Sequence, residues 1–430
     1  MNRWLFAGLL AIAATQSPGQ KSMTLQEAVS VASSSSPSVL AAAAEASAAK
    51  EAVRMRRAAL LPQLSANGYA VDSKVGTIMQ SGPGRMTSST SQLPMGQTWM
   101  GSLMLMLPLY TGGVLNSELS AALAAQRGAE AELREMQGEA ALMAEEAFWM
   151  TLLADAEIQT ALDRVAAAEE MVKNMKAKFE AGMMTEAAVK RSEAELSMSQ
   201  RMLAMTRNEQ AKSILELQAL LGQEMSQEIT VQGSLVADDE APDLALLIKE
   251  SRASRGIVQK AKAGVEAAQA KARAASGSSL PSLFLQAMTD QSSNMMMNGS
   301  SIGLTFTMPL FDGGERRAQA KEAKAMVEAA KQALRQAELK AEKEVRQAWL
   351  DMKTSEANIA STKAGAAAAE SAYQVARLRV EAGKSLLVEQ LDALQMLTEA
   401  KTELAKATFD FKLAVARLKR AAGLNLGGKP

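Results

Sequence analysis

Neither cysteine nor histidine occurs among the 430 residues, so most familiar site chemistry is closed to this chain from the start. Zinc fingers, Cys–His and Ser–His nucleophilic machinery and most transition-metal sites need one of those side chains. No lipid-anchored cysteine is expected either. Carboxylates or a Ser/Lys pair remain, but none falls at a spacing that suggests general acid–base work, so neither an enzyme nor a cofactor is expected. Twenty-eight methionines, among them Met295, Met296 and Met297, offer thioethers that suit soft Cu(I). Most occupy helical positions where leucine would serve, so they are read as packing and no metal site is assigned. The 47 basic and 47 acidic residues cancel, which leaves no basic field for nucleic acid. The run Asp238-Asp239-Glu240 reads as a solvated surface.

What the elements must position shows in a duplication. Leu107-Pro108-Leu109-Tyr110-Thr111-Gly112-Gly113 returns 201 residues later as Met308-Pro309-Leu310-Phe311-Asp312-Gly313-Gly314. The same offset aligns Ala147 with Ala348, Leu196 with Leu397, Leu203 with Leu404, Glu180-Ala181-Gly182 with Glu381-Ala382-Gly383, and Gly222 with Gly423. An offset held this long is a duplicated structural unit. Ahead of it, Arg3, an apolar run from Trp4 to Ala14 and small residues up to Gly19 read as a signal peptide over residues 1–19.

Charge density divides the mature chain. Residues 60–113 carry only Asp72, Lys74 and Arg85, and residues 275–311 only Asp290. In the second of these segments Ile302, Leu304, Phe306, Met308 and Leu310 alternate with Ser301, Gly303, Thr305 and Thr307. Period two with one apolar and one small polar face describes a strand between two solvents. Leu103, Leu105, Leu107 and Leu109 repeat this in the first segment, where Met104 and Met106 blur the other face. Earlier strands are expected over 64–73 and 282–290, each introduced by a Leu-Pro pair (Leu61-Pro62, Leu280-Pro281). Such strands match the span of a tilted transmembrane β-strand, with aromatic residues near the ends.

Between these segments Ala, Glu, Gln, Leu, Met and Lys dominate, all good helix formers. Helices are expected from Val114 to about Ala181 and from Glu315 to about Ala382, each roughly 100 Å long at 1.5 Å per residue. After reversals at Gly182 and Gly383, helices return over 185–221 and 386–421. Leu397, Leu404, Phe411 and Leu418 recur every seven residues, with Ala400, Ala407 and Ala414 three places on, the spacing of left-handed supercoiling. The first half matches with Leu196, Leu203, Gln210 and Leu217 beside Ser199, Thr206 and Ser213. The resulting organisation is a first repeat over 20–222 with its β-hairpin at about 62–110, a connector over 223–255 with a short helix from Leu244, a second repeat over 256–423 with its hairpin at about 281–311, and a tail over 424–430. No later segment is apolar enough for a transmembrane helix.

Two hairpins supply four strands, and an open four-stranded sheet in lipid would leave both edges unpaired at several kcal/mol per group. Four strands cannot close on themselves, so several copies must pool them. Two, three and four copies give eight, twelve and sixteen strands, and twelve or more leave a lumen. Ser301, Gly303, Thr305 and Thr307 then suit a pore-lining face.

These residues resemble the TolC-like outer-membrane efflux proteins over essentially the whole mature chain. The resemblance rests on Thr24-Leu25-Gln26-Glu27-Ala28 with Pro37, Leu60-Leu61-Pro62-Gln63-Leu64, the two junctions (Pro108, Gly112, Gly113; Pro309, Gly313, Gly314) and the Ala-Gly turns at 181–182 and 382–383. It implies a mainly α fold with a membrane β-barrel: a homotrimer whose long coiled-coil helices form a periplasmic α-barrel and whose four strands per protomer build a 12-stranded barrel in outer-membrane lipid. It further implies an outer-membrane duct of a tripartite efflux or type I secretion system. Such a duct docks, through a periplasmic adaptor (membrane fusion) protein, to an inner-membrane pump of RND, ABC or MFS type. By the same resemblance a periplasmic gate falls six and nine residues beyond the second turn glycine, at Glu389 and Asp392. The adaptor-contact tips fall at Gly182, Met183, Met184, Thr185 and at Gly383, Lys384, Ser385, Leu386. The family's tyrosine and arginine around that turn are replaced by Val380 and Ser385, so its salt-bridge lock is not expected in the usual form; Arg377, Arg379 or Lys384 could stand in. The competing expectation is a non-pore periplasmic coiled-coil adaptor or scaffold.

Overall fold

A computed structural model describes residues 21–73, 78–79, 90–91, 96–223, 225, 229–236, 243–292 and 298–424. The signal peptide, the 238–240 acidic run, the 295–297 methionine triplet and the tail beyond Leu424 lie outside the described residues. In chain order the elements are β1 (Lys21–Met23), α1 (Leu25–Ser35), α2 (Pro37–Ala58), β2 (Gln63–Ser73), β3 (Ile78–Met79), β4 (Thr90–Ser91), β5 (Gly96–Tyr110), α3 (Val114–Glu180), α4 (Glu186–Leu221), β6 (Ile229–Val231), α5 (Leu244–Ser254), α6 (Gly256–Gly277), β7 (Ser282–Ser292), β8 (Gly299–Thr307), α7 (Glu315–Glu381) and α8 (Leu387–Ala422). They form two compact units. One takes the described residues up to Ala41, Arg134–Arg255 and those from Lys340 onward; the other takes Ala42–Leu133 and Gly256–Leu339.

The second unit holds a four-stranded antiparallel sheet in the order β2-β5-β7-β8. Its register stacks Leu64, Leu105, Ala287 and Ile302 across one rung, and Leu107, Leu285 and Leu304 across another. Because side chains alternate along every strand, one face carries these residues with Trp99, Leu103 and Phe306. Leu64, Ile302, Leu304 and Phe306 are 62–75% exposed, so this apolar face is bare on the chain alone. The other face carries Gln63, Ser65, Asn67, Gln286, Ser301, Gly303, Thr305 and Thr307. The Thr305 hydroxyl donates to Gln286 Oε1 at 2.9 Å.

Two strand ends depart from the alternation. β8 stops at Thr307, so Met308 and Leu310, expected within the strand, lie beyond it. Pro309 has no N–H to donate and biases the residue before it, which ends the ladder there. β5 instead runs 15 residues, through Pro108 to Tyr110. A register shift between Pro108 and Tyr110 absorbs its proline. Met104 and Met106 fall on the small polar face, and Met104 pairs directly with Met288.

The helices of the first unit are fixed by their ends and seams. Thr24 caps α1 through a capping box with Glu27. Four helix ends share one device: the N–H groups at Gly182 and Met183, Gly222 and Gln223, Gly383 and Lys384, and Gly423 and Leu424 fold back onto carbonyls of the last turn. These glycines have φ between 64° and 74°. In α8, Leu397, Phe411 and Leu418 are buried with Ala407 and Ala414. In α4 Ser192, Ser199 and Ser213 are buried together with Leu217 and Leu221, whereas Thr206 is half-buried. Each of these serine hydroxyls donates to a carbonyl of its own helix at 2.8–2.9 Å, so burial leaves none unsatisfied. β1 pairs in parallel with β6. Three-residue strands carry too little periodicity to stand out in a sequence.

Candidate functional site

The tip of the first unit gathers the ends of α3 and α7 and the starts of α4 and α8. Met171, Met175, Val189, Tyr373, Val380, Leu387, Leu394 and Leu397 form one buried cluster there. Glu389 lies in the first turn of α8, where a carboxylate suits the positive end of the helix. It accepts the Ser385 hydroxyl, and Arg379 Nη1 stands 3.9 Å from its Oε2. Asp392, on the adjoining turn, is exposed and makes no hydrogen bond or ion pair among the described residues. Of the three substitute cations, Arg379 therefore reaches the first acid. Arg377 turns to Glu381 at 3.3 Å and Glu170 at 3.8 Å. At the turns themselves Met183 and Leu386 are 70% and 72% exposed, and neither Thr185 nor Leu386 caps its helix through a side chain.

Two residues of the tip were not singled out from sequence. Lys178 Nζ donates to the carbonyls of Val380 and Glu381 at 2.9 and 3.0 Å, which gives the last turn of α7 a cation from another helix. The repeat offset pairs Lys178 with Arg379, and that equivalence was the available signal. Tyr373 is buried and bonded to Gln390, and desolvation holds its hydroxyl pKa above the ordinary range against that bond. Its seven-residue step to Val380 marks it as a seam position.

β5 and β8 each pass into the following helix through a glycine pair. Gly112 and Gly113 have φ of 62° and 78°, Gly313 and Gly314 of 65° and 93°, a region that side chains disfavour. Asp312 accepts the N–H of Gly314 at 3.0 Å and of Arg316 at 3.3 Å, which starts α7. Thr111 occupies the matching place before α3. Pro108 lies within β5 and lines a hollow beside Gly277, as does Pro309.

Elsewhere in the first unit Arg255 is 3% exposed and is held by Glu135 at 2.8 Å, Glu344 at 2.9 Å and the Ala421 carbonyl at 3.1 Å. Arg420 joins at 3.1 Å to Glu135. Burial disfavours the Arg255 charge, yet the two glutamates more than compensate and raise its pKa. Among the described residues no group of three or more acidic side chains is placed to hold a metal.

The profile of a family described as outer membrane efflux protein matches residues 28–223 and 247–424. The outer membrane protein TolC of Vibrio cholerae is 23% identical over 416 residues, 93% of this chain and 90% of that protein. The alkaline protease secretion protein AprF of Pseudomonas aeruginosa is 27% identical over 296 residues, 65% of this chain and 60% of that protein. Among solved structures, the outer-membrane channel OprN superposes with a TM-score of 0.78 at 21% identity, over 94% of this chain and 91% of its own. The outer membrane protein VceC of Vibrio cholerae does so with 0.78 at 19% identity, over 94% and 96%.

Proposed function

Because the chain belongs to the outer membrane efflux protein family and is an outer-membrane duct of efflux or secretion systems, we propose that three copies pool their sheets into one twelve-stranded barrel. The observation that carries this is the sheet order β2-β5-β7-β8, which leaves β2 and β8 as edges that lipid cannot satisfy. The bare apolar face meets lipid. Ser301, Gly303, Thr305 and Thr307 line the bore, and the glycine pairs at 112–113 and 313–314 turn each hairpin into its helix. The duct stands in the outer membrane and reaches into the periplasm, and it does no chemistry of its own. The energy for export comes from an inner-membrane pump of RND, ABC or MFS type, joined through a periplasmic adaptor. The adaptor seats on Gly182–Thr185 and Gly383–Leu386, where exposed Met183 and Leu386 offer apolar contacts.

The gate is the ring of Glu389 and Asp392, three copies of each, attracting cations and repelling anions at the narrow end. Its two acids are unequal: Ser385 and Arg379 already occupy Glu389, whereas Asp392 is unengaged among the described residues. In planar bilayers, Asp392→Asn should remove most of the block by multivalent cations and Glu389→Gln less, while Arg379→Ala should sharpen the block. Conductance and block left unchanged in the Asp392→Asn, Glu389→Gln double variant would overturn the gate assignment.

A further inference from the structure

Within the second unit, a cavity of about 430 Å³ opens where strands pass into helices. Its walls come from matching places in the two copies of the repeat. With the offset of 201 residues, Met106, Pro108 and Leu115 correspond to Thr307, Pro309 and Arg316. Around the first strand of each hairpin the offset is 219, and Ala59 and Gln63 correspond to Ser278 and Ser282. All ten side chains line the cavity. The first copy contributes a mostly apolar wall (Ala59, Met106, Leu115), and the second a hydroxyl-bearing and charged one (Ser278, Ser282, Thr307, Arg316). The two copies have therefore diverged into one amphipathic pocket.

Its single charge is incompletely used. Arg316 Nε stands 3.7 Å from Asp312 Oδ2, but Arg316 Nη1 is shielded from solvent and has no hydrogen-bond partner among the described residues. Asp312 meanwhile accepts the backbone N–H groups of Gly314 and Arg316. A shielded guanidinium N–H without an acceptor is costly and suits an anionic oxygen. The cavity volume lies within the range of small-molecule sites. Gln63, Met106, Phe284 and Thr307 belong to the small polar face of the sheet, so the pocket is reached from that side and not from the bare leucine face.

We infer that this pocket binds an amphipathic anion, with a carboxylate or sulfate head on Arg316 and an apolar tail along Leu115, Met106 and Phe284. The inference does not rest on the gate. The probe is dodecanoate carrying a photoreactive diazirine, applied to the full chain in lipid nanodiscs, with labelled peptides mapped by mass spectrometry. Label is expected on peptides that contain Gln63, Leu115 or Arg316, and unlabelled dodecanoate should displace it while dodecyltrimethylammonium should not. Arg316→Gln should lower labelling at least tenfold. Ser278→Trp, which fills the space but keeps the charge, should lower it as far with an unchanged circular dichroism spectrum. Labelling that survives both variants, equal displacement by the cationic amphiphile, or label confined to the Leu103 and Leu304 face would each overturn the site.

Discussion

A methyl group added at Gly112 would overlap the Gly277 carbonyl oxygen and come within 2.9 Å of the Leu280 Cβ, whereas at Gly313 it would meet nothing within 4 Å. Both residues hold left-handed φ, so alanine at either should cost about 1–2 kcal/mol in backbone strain. Gly112→Ala must also push apart two backbones, and it should lower the denaturation midpoint distinctly further than Gly313→Ala in the same detergent. Equal losses would mean that the close approach to Gly277 contributes nothing. Sequence showed both glycine pairs but not this difference, because Gly277 is distant in the chain and carries no motif. A second residue-scale test concerns Asp155, half-buried and accepting the Gln210 amide. Burial holds its carboxyl above the ordinary aspartate range, against the lowering effect of Gln210. A raised value in the folded state means that its stabilising contribution is complete at acid pH and is lost as pH rises from the ordinary range through the raised value. Asp155→Asn keeps an acceptor for Gln210 and removes the titration. It should match or exceed the native chain in stability near pH 7 and lose that advantage toward about pH 4, as read from melting temperatures across the range.

Among the elements, the ends of the long helices were legible and their cross-ties were not. Gly182, Gly222, Gly383 and Gly423 announce themselves because a helix that ends in a left-handed residue favours glycine. The observed ends at Glu180, Leu221, Glu381 and Ala422 lie within a residue of the expected ones. Heptad spacing likewise foretold the buried stripe of α8. The partner of each charged residue cannot be read this way, since most Lys and Glu on such helices are simply solvated. Lys178 is the exception that matters at the tip. Lys178→Met should cost about 1 kcal/mol of local stability at the end of α7, which amounts to roughly fivefold faster amide exchange around residues 379–384, with the rest of α7 unaffected. Uniform exchange rates would show the Lys178 contacts to be incidental. Arg255 ties α5, α3, α7 and the end of α8 within the same unit. Arg255→Met should cost about 2–3 kcal/mol, because Glu135 would keep only Arg420 and Glu344 only Lys340 at 3.9 Å once the buried guanidinium between them is gone; a loss below about 1 kcal/mol would reject that role.

For the whole molecule the decisive property is the parity of the sheet. Four strands that alternate in direction begin with β2 and end with β8 running opposite ways. β8 of one copy can therefore pair with β2 of the next in an antiparallel ladder, and any number of copies preserves the pattern. Sequence reached the need for assembly from strand count and the energetic cost of open edges, but pairing order came only from the structure, since nothing local says that β5 lies against β7. Parity permits closure without choosing the copy number, and the barrel must still be wide enough for a lumen. The absence of cysteine makes the choice directly measurable. One engineered cysteine on β2 and one on β8, placed at Ser65 or Asn67 and at Ser301 or Gly303 to sample the possible registers, should form disulfides only between copies, because these strands occupy opposite edges of one sheet. Non-reducing gels of detergent-extracted outer membranes should show monomer, dimer and trimer bands, with the closed trimer as the largest and its share rising in the best-matched register. A ladder that continues past three, or one that ends at two for every pairing, would refute the twelve-stranded assembly.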